Sequence, residues 1–573
     1  MRRSAVRDGR SGWLPIVIAV ASALLFIGPA LRPGYILTYD MVFVPRQPIT
    51  AELLGLGTST PRAVPSQLAV ALGSHIIAAD WLQKIVLVGC LALGGVGVAR
   101  LAPVGLVGRT AAGLAYLWSP YVGQRLILGQ WPMLLVFASL PWMVRACAGV
   151  RAGTNGAWPR VLLWTALCCL AGALGWVVAV LVVPLGVLLR PGRGGRELAR
   201  DAVLTVAGLT VFALPWAVPA LLRPVGLSTD RAAAAVFAAR ADTALGTIGS
   251  LLVGGSGWNA QANPAGRGGL LYAVGAVLVL VVAALGVARL GFASMPGLWV
   301  SALLALGLGV GSAVPWIRDA FAGLPAGGLL RDAPRYLLPW ILAVAVGFGA
   351  GVDRMRNEPR LRDLAVLVAL LPVVLLPSVA WGVGARLHAV RYPAEMVQVR
   401  RLVSSEPGAV LVAPLTTYRA FPWNGSRTSL DPYPRQFDQR VVYASDLSVG
   451  VGDRIVVIRG DDPMATRIQR ELRRGPTASV LAREGVHTVV VTAAQPPFDV
   501  TGLDLRYKGP DVAVYGVPGA SGHDPAAGLT PPVMPVVIGD TVAAVSICAL
   551  AYWSVICLIR SRDERRSRGN RRT

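Results

Sequence analysis

Runs of roughly twenty apolar residues recur along this chain, and no other feature restricts its folding as strongly. A helix of about 20 such residues spans the hydrocarbon core of a bilayer, where every backbone polar group must be paired within the element itself. Twelve candidate spans can be marked, at 13–31, 81–101, 110–120, 131–146, 161–174, 176–189, 202–222, 268–288, 296–314, 336–352, 364–381 and 534–559. The first follows "MRRSAVRDGR" and lacks a small-x-small cleavage site before "RPG", so it reads as an uncleaved transmembrane helix. With 54% hydrophobic and 15% charged residues, the chain is too apolar for a string of ordinary soluble domains.

Charge orders these spans across the membrane. The formal net charge is +24, Lys84 and Lys508 are the only lysines, and arginine clusters sit in short segments between apolar runs. Such clusters mark the cytoplasmic side and meet anionic lipid. The basic tail "RSRDERRSRGNRRT" is read the same way, and nucleic acid is not expected as a partner. Arg160 and "RPGRGGRELAR" bracket 161–189, so this stretch must turn back near Gly172 or Gly175 rather than cross once. The expected fold class is a polytopic α-helical membrane protein of about twelve transmembrane helices in the plasma membrane, both termini cytoplasmic. The expected external segments are 32–80, 119–130, 223–267, 315–335 and 382–533.

The last of these has a different composition. Short β-rich runs, "AVLVA", "RIVVI", "HTVVVT" and "DVAVYG", alternate with a helical pattern around "ATRIQRELRR", which predicts one extracytoplasmic α/β domain. The expected domains are a transmembrane domain at 1–382, the α/β domain at 383–533, a final helix at 534–559 and a basic cytoplasmic tail at 560–573. Glycine pairs in "LALGGVGVAR" and "VGFGAGVDR" suit close helix packing rather than nucleotide binding.

The six cysteines lie in or beside apolar runs without metal-site spacing, there are only four histidines, and no phosphate loop or His-Glu-x-x-His is present. No metal ligand set and no soluble cofactor are expected, with a divalent cation left open. Chemistry is then sought among carboxylates, arginines and aromatics of the outer segments. Asp40, in "PGYILTYDMVFVP", lies just beyond the first span in a segment too apolar for a solvated loop. It suits a base that takes a proton from a hydroxyl; the alternative is a capping carboxylate or a partner of Arg46. Arg331 and Arg335, in "LLRDAPRYLLPW", suit a phosphate clamp because their forked donors match phosphate oxygens and stay charged; the alternative is interfacial anchoring. Arg125, Gln130 and Trp131 in "LWSPYVGQRLILGQWPMLL", and His75 ahead of the second span, offer contacts to sugar hydroxyls or phosphate. Trp423 and Tyr433, in the turn-rich "TTYRAFPWNGSRTSLDPYPRQFD", could stack on sugar rings; the alternative is a strut packed on the membrane domain.

A first span followed by "PGY..TYD", then "RTAAGLAYLWSPYVGQRLILGQWPMLLVFASLPW" and "RDAPRYLLPW", resembles the membrane-embedded GT-C glycosyltransferases of actinobacteria, especially the large arabinofuranosyltransferases. The resemblance implies a polyprenyl-phosphate sugar donor, a cell-envelope glycan or glycolipid acceptor, a membrane-lipid environment, and transfer with inversion on the outer face. It maps the family's acid onto Asp40; with the residue reading above, the expected site then has Asp40 as base, Arg331, Arg335 and Arg125 on the donor phosphate, and Gln130, Trp131, His75, Trp423 and Tyr433 on the sugar or acceptor. The chain departs from the family in having one acid in "TYD", with Glu52 well separated from it. A lipid-linked sugar transporter or an assembly scaffold is the alternative, against which stand the lack of internal repeats and of charge within the spans.

Overall fold

The computed structural model describes residues 12–189, 194–224, 231–444, 446–451, 454–493 and 496–570. Within them eight helices are long and apolar enough to cross a membrane: Leu14–Leu31, Ala79–Leu101, Trp131–Arg151, Gly195–Leu222, Leu270–Leu290, Pro296–Ala313, Ala333–Asn357 and Val533–Ser554. The chain is a membrane protein. The difference from twelve has local causes. The run at 110–120 forms the 12-residue helix Leu106–Leu117, short of a full crossing. The run at 364–381 is broken into Leu364–Ala369, Leu371–Leu375 and Ala380–Ala385, with Pro372 and Pro377 at the breaks, where a residue without an N–H cannot continue the ladder. The stretch at 161–189 is two short helices, Ala157–Cys169 and Ala173–Leu188, with the turn at Gly172. Its φ of +67° and the Val64 carbonyl, 2.6 Å from where a Cβ would stand, require glycine there. The arginine-rich segment after it falls partly outside the described residues, as do residues 1–11 and 571–573.

Helix 338–357 is the centre of the bundle and is apolar on nearly every side. It packs against Leu270–Leu290 and Leu106–Leu117 with backbones in near contact: a Cβ on Gly286 would lie 1.9 Å from the Gly347 oxygen, and one on Gly349 2.4 Å from that of Gly108. The glycines of "VGFGAGVDR" are therefore packing residues, as their pattern implied.

The sheet-containing region has five strands in the spatial order Asp504–Lys508, Ala513–Gly516, Val486–Val491, Ala409–Ala413, Val441–Val442. Ala409–Ala413 runs parallel to both neighbours, and the other two pairings are antiparallel. Helices Glu395–Ser404, Pro463–Leu472 and Thr477–Arg483 cover its faces. The run "RIVVI", expected in this sheet, instead pairs with Leu447–Val451 as a separate hairpin. Its Ile458, with Leu447 and Val449, packs on Ala233 and Phe237 of the segment that follows helix Gly195–Leu222.

This region and the bundle are stitched together through the first long loop. Tyr35–Ile36 pairs with Ala389–Val390. The Tyr392 hydroxyl donates to the Phe43 carbonyl at 2.7 Å, and Leu37, Val42 and Val44 are buried against Trp423, Tyr392 and Leu430. The loop "YILTYDMVFV" is apolar because it is a buried layer between two bodies, which is the physical reason its carboxylate is held in place.

Candidate active site

Helix Pro120–Ile127 sets the floor of the site. Ser119 and Pro120 suit a helix start, with proline at the first helical position, and all eight of its residues are buried. It ends at Gly129, whose φ is +67° and where a Cβ would stand 2.2 Å from the Thr38 oxygen and 2.3 Å from the Met41 nitrogen. Only glycine lets the first loop lie this close. The Thr38 hydroxyl donates to the Ile127 carbonyl at 2.8 Å, and the Asp40 N–H donates to that of Leu128 at 3.0 Å. The Thr38–Met41 turn is closed by the Met41 N–H on the Thr38 carbonyl at 2.9 Å, and Tyr39 within it adopts φ +39°, a strained value for a residue with a side chain.

So aimed, the Asp40 carboxylate is half-buried. Its Oδ2 accepts from Gln130 Nε2 at 3.2 Å, and its Oδ1 accepts from the Tyr418 hydroxyl. Arg46 is not its partner. Gln130 is oriented in turn by Arg125, whose Nη1 donates to Gln130 Oε1. The Arg125 guanidinium lies 4.9 Å from the centre of the Tyr121 ring, and the Tyr121 hydroxyl donates to the Arg335 carbonyl at 2.7 Å. A continuous path of contacts thus joins Asp40 to Arg335, and Asp40 is near enough to act electrostatically on both Arg335 and Arg435.

The two arginines of "RDAPR" differ. Arg335 is bound through Nε to Asp332, three residues back. Arg331 has no ion pair or hydrogen bond among the described residues; its guanidinium sits 4.7 Å from the Phe237 ring centre. Burial, then the charges of Arg62 and Arg335, push its pKa down to about 10. A guanidinium that is desolvated, crowded by like charge and without a carboxylate on it is a place where an anion gains most. Arg62 lies 3.2 Å and Arg223 3.8 Å from Asp461, which offsets part of their charge.

Four sequence assignments need correction. Arg125 is 1% exposed and engaged with Gln130, so it orients that amide from behind rather than reaching a phosphate. Trp131 is 3% exposed and packs edge-on against Phe43 at 5.5 Å. Tyr433 is 1% exposed in the core of the sheet region, with Phe421 and Phe437 as ring neighbours. Trp423 stacks on Phe421 at 4.9 Å and meets Tyr392 at 5.4 Å, filling the seam over the first loop. Trp423 is therefore a strut residue in an apolar seam, and Tyr433 a core residue of the sheet region. His75 is exposed at the end of helix Ser66–Ser74, its ring bonded to the Ala71 carbonyl at 2.8 Å, and no hydrogen bond or ion pair among the described residues ties it to Asp40.

Sequence reasoning placed Tyr121 among interface-belt aromatics and Tyr418 among sugar-stacking ones, and missed the hydrogen bonds they make here and a buried network that holds Gln124. Asp242 Oδ2 accepts from Gln124 Nε2 at 2.9 Å and from the Gly257 N–H at 2.8 Å, with the fully buried Arg267 3.7 Å away. An acidic residue amid "ARADTALG" gave no signal of this, because its partners come from three separate segments. Beside the floor helix, a narrow apolar pocket of about 60 Å³ opens at Ser119 and Pro120 and is lined by Trp118, Tyr272, Trp340 and Leu376 among others; Asp40 is not part of its wall.

No protein-family model matches the chain, and no curated protein matches it. Among solved structures it is similar to a cryo-EM structure of the arabinofuranosyltransferase AftD from Mycobacteria, with a TM-score of 0.55 and 17% identity over 89% of this chain and 42% of that one. It thus spans well under half of AftD's length. ArnT from Cupriavidus metallidurans, solved with undecaprenyl phosphate bound, aligns with a TM-score of 0.43 and 12% identity over 90% of this chain and 100% of that one. The likeness to AftD shows a GT-C-like fold.

Proposed function

We propose that the chain is an inverting glycosyltransferase that moves a sugar, arabinofuranose or mannose, from a polyprenyl-phosphate donor to a glycan or glycolipid of the cell envelope. In this reading the sheet region is an extracytoplasmic domain, both termini are cytoplasmic, and the reaction takes place at the outer face of the plasma membrane. The observation that carries it is the single path from the Asp40 carboxylate through Gln130, Arg125 and Tyr121 to Arg335, with the unpaired Arg331 beside it. Transfer from a phosphate leaving group needs a base and an anion site near one another; the path ends on the Arg335 carbonyl, and the Asp40 charge acts on the Arg335 guanidinium.

Asp40 takes the proton of the acceptor hydroxyl as its oxygen bonds to the anomeric carbon from the face opposite the phosphate. The bond from that carbon to the phosphate oxygen breaks, and the polyprenyl phosphate leaves against the guanidinium of Arg331, with Arg335 adding positive field. Gln130 fixes the carboxylate, and Arg125 fixes Gln130. The apolar pocket at Ser119–Pro120 suits the first isoprene units of the lipid. A divalent cation finds no evident seat: no group of three His, Cys, Asp or Glu gathers among the described residues, and both Asp40 oxygens already accept hydrogen bonds.

The test is Arg331→Gln, assayed in nanodiscs with decaprenyl-phosphoryl arabinofuranose and an octyl arabinofuranoside, and with the corresponding mannosyl pair. Loss of one charged hydrogen-bond partner is expected to lower kcat/KM about ten- to a hundredfold while the melting temperature holds. An unchanged kcat/KM would remove the phosphate from this arginine.

A further inference from the structure

Tyr418 belongs to the sheet region, yet its hydroxyl is on the carboxylate of the membrane domain's first loop. The way it gets there is specific. Strand Ala409–Ala413 lies between two parallel neighbours, and ligands of open α/β sheets gather at the carboxyl ends of such strands. Here the segment that leaves the carboxyl end of Ala409–Ala413 reaches the first loop. A short hairpin, Tyr418–Ala420 with Thr428–Leu430, follows directly. Its Arg419 points back to the sheet, donating to the Ala413 carbonyl at 3.0 Å and to Thr492 at the end of the adjacent parallel strand, and pairing with Asp431 at 2.7 Å. Side chains alternate along a strand, so fixing Arg419 toward the sheet turns Tyr418 the other way, toward Asp40.

The same hairpin holds the backbone around Asp40. The Tyr39 N–H donates to the Thr428 carbonyl at 2.7 Å, and the Leu430 N–H donates to the Tyr39 carbonyl at 2.8 Å. Tyr39 thus keeps its positive φ because neighbours on both sides leave it no alternative. Arg435, from the same region, donates to the Val42 carbonyl just beyond Asp40. Burial, then the Asp40 charge, hold the Tyr418 pKa well above the ordinary tyrosine range, so the phenol remains a donor.

We infer that Tyr418 is a positioning residue for the base, and that the sheet region is a working part of the active site rather than an appended module. Its phenol fixes Asp40 Oδ1 and leaves the second lone pair of that oxygen to the acceptor hydroxyl. This rests on the reading of Asp40 as the base. It also makes catalysis depend on docking of the sheet region, since the residue that orients the carboxylate arrives with it.

The experiment is a double-mutant cycle of Tyr418→Phe and Asp40→Asn in the full chain in nanodiscs, with the two donor–acceptor pairs named above. Tyr418→Phe alone is expected to lower kcat about ten- to a hundredfold, the factor for one hydrogen bond to a charged group, with the donor KM and the melting temperature unchanged. In the Asp40→Asn background the same change is expected to have almost no further effect, since a positioning residue acts through its partner. An unchanged kcat in Tyr418→Phe, a rise in donor KM instead, or a full additional loss in the Asp40→Asn background would each overturn the inference while Asp40 stands as the base. Wild-type turnover in Asp40→Asn, or no turnover with either pair, would sink the underlying reading and this one with it.

Discussion

Asp40→Asn is expected to lower sugar transfer by about two to four orders of magnitude, the contribution of a positioned general base, while the protein stays folded. The change is nearly isosteric, and its neighbours tolerate it. The asparagine oxygen can go on accepting from Gln130 Nε2, which Arg125 holds in place, while its amide donates to the Tyr418 oxygen, a group that accepts as well as donates. What is lost is the capacity to accept a proton. Because the proposed anion site, Arg331 and Arg335, lies on a different segment, binding of polyprenyl phosphate is expected to be retained. The measurement is transfer kinetics together with lipid-phosphate binding on the same preparation. Wild-type turnover would make Asp40 a structural carboxylate, and joint loss of binding and turnover would place it in the donor site instead.

Tyr433→Ala carries the second large effect, and it falls on stability. The ring is 1% exposed, flanked by Phe421 and Phe437, in the cluster that includes Val410, Val412 and Val490 of the central sheet. Truncating a buried aromatic leaves a cavity and costs about 3–5 kcal/mol. Tyr433→Phe is the control, because the hydroxyl is buried without a hydrogen-bond partner among the described residues, and removing an unpaired polar group is neutral or favourable. The melting temperature should therefore drop sharply in the alanine variant and hold in the phenylalanine one. If the alanine variant were as stable as wild type and lost only acceptor affinity, the ring would be a sugar platform after all.

These two residues show what the sequence could and could not reveal. Asp40 was legible because a lone acid in an apolar segment after a membrane span demands a reason, and the reason is local: a loop pressed between helix Pro120–Ile127 and the hairpin at 418–430. Gly129, two residues after that helix, encodes the close approach but reads as an ordinary loop glycine until Thr38 is seen against it. The arginines of "RDAPR" were legible as a pair but not as unequal members, since Asp332 could have bound either one. Tyr418 was illegible as a partner of Asp40, because 378 residues separate the two and nothing in the alternation of a three-residue strand says what lies beyond its edge. Tyr433 and Trp423 misled for a related reason. Aromatics interleaved with polar residues look alike whether they face a sugar, a seam or a core, and only the neighbours decide: the apolar first loop for Trp423, the sheet's valines for Tyr433.

The spans followed the same rule. Apolar length located the helices, and bracketing charge implied a turn near Gly172 or Gly175, which the structure has at Gly172, whereas the proline breaks after Leu364 turned an apparent span into short helical pieces. Glycine spacing was read correctly as packing because the contacts it makes, Gly286 on Gly347 and Gly349 on Gly108, need nothing more than absent side chains.

The central claim is that the base and the leaving phosphate share one site, and it is tested most directly by a structure of the full chain in a nanodisc with decaprenyl phosphate bound. The phosphate is predicted to lie on the Arg331 guanidinium at about 2.7–2.9 Å, the distance of a charge-assisted hydrogen bond, with Arg335 beside it, Asp40 facing it across the space for one sugar, and the first isoprene units in the pocket at Ser119–Pro120. A phosphate seated away from Arg331, with Asp40 still closed over by Gln130 and Tyr418 and no room for a sugar between them, would contradict the account.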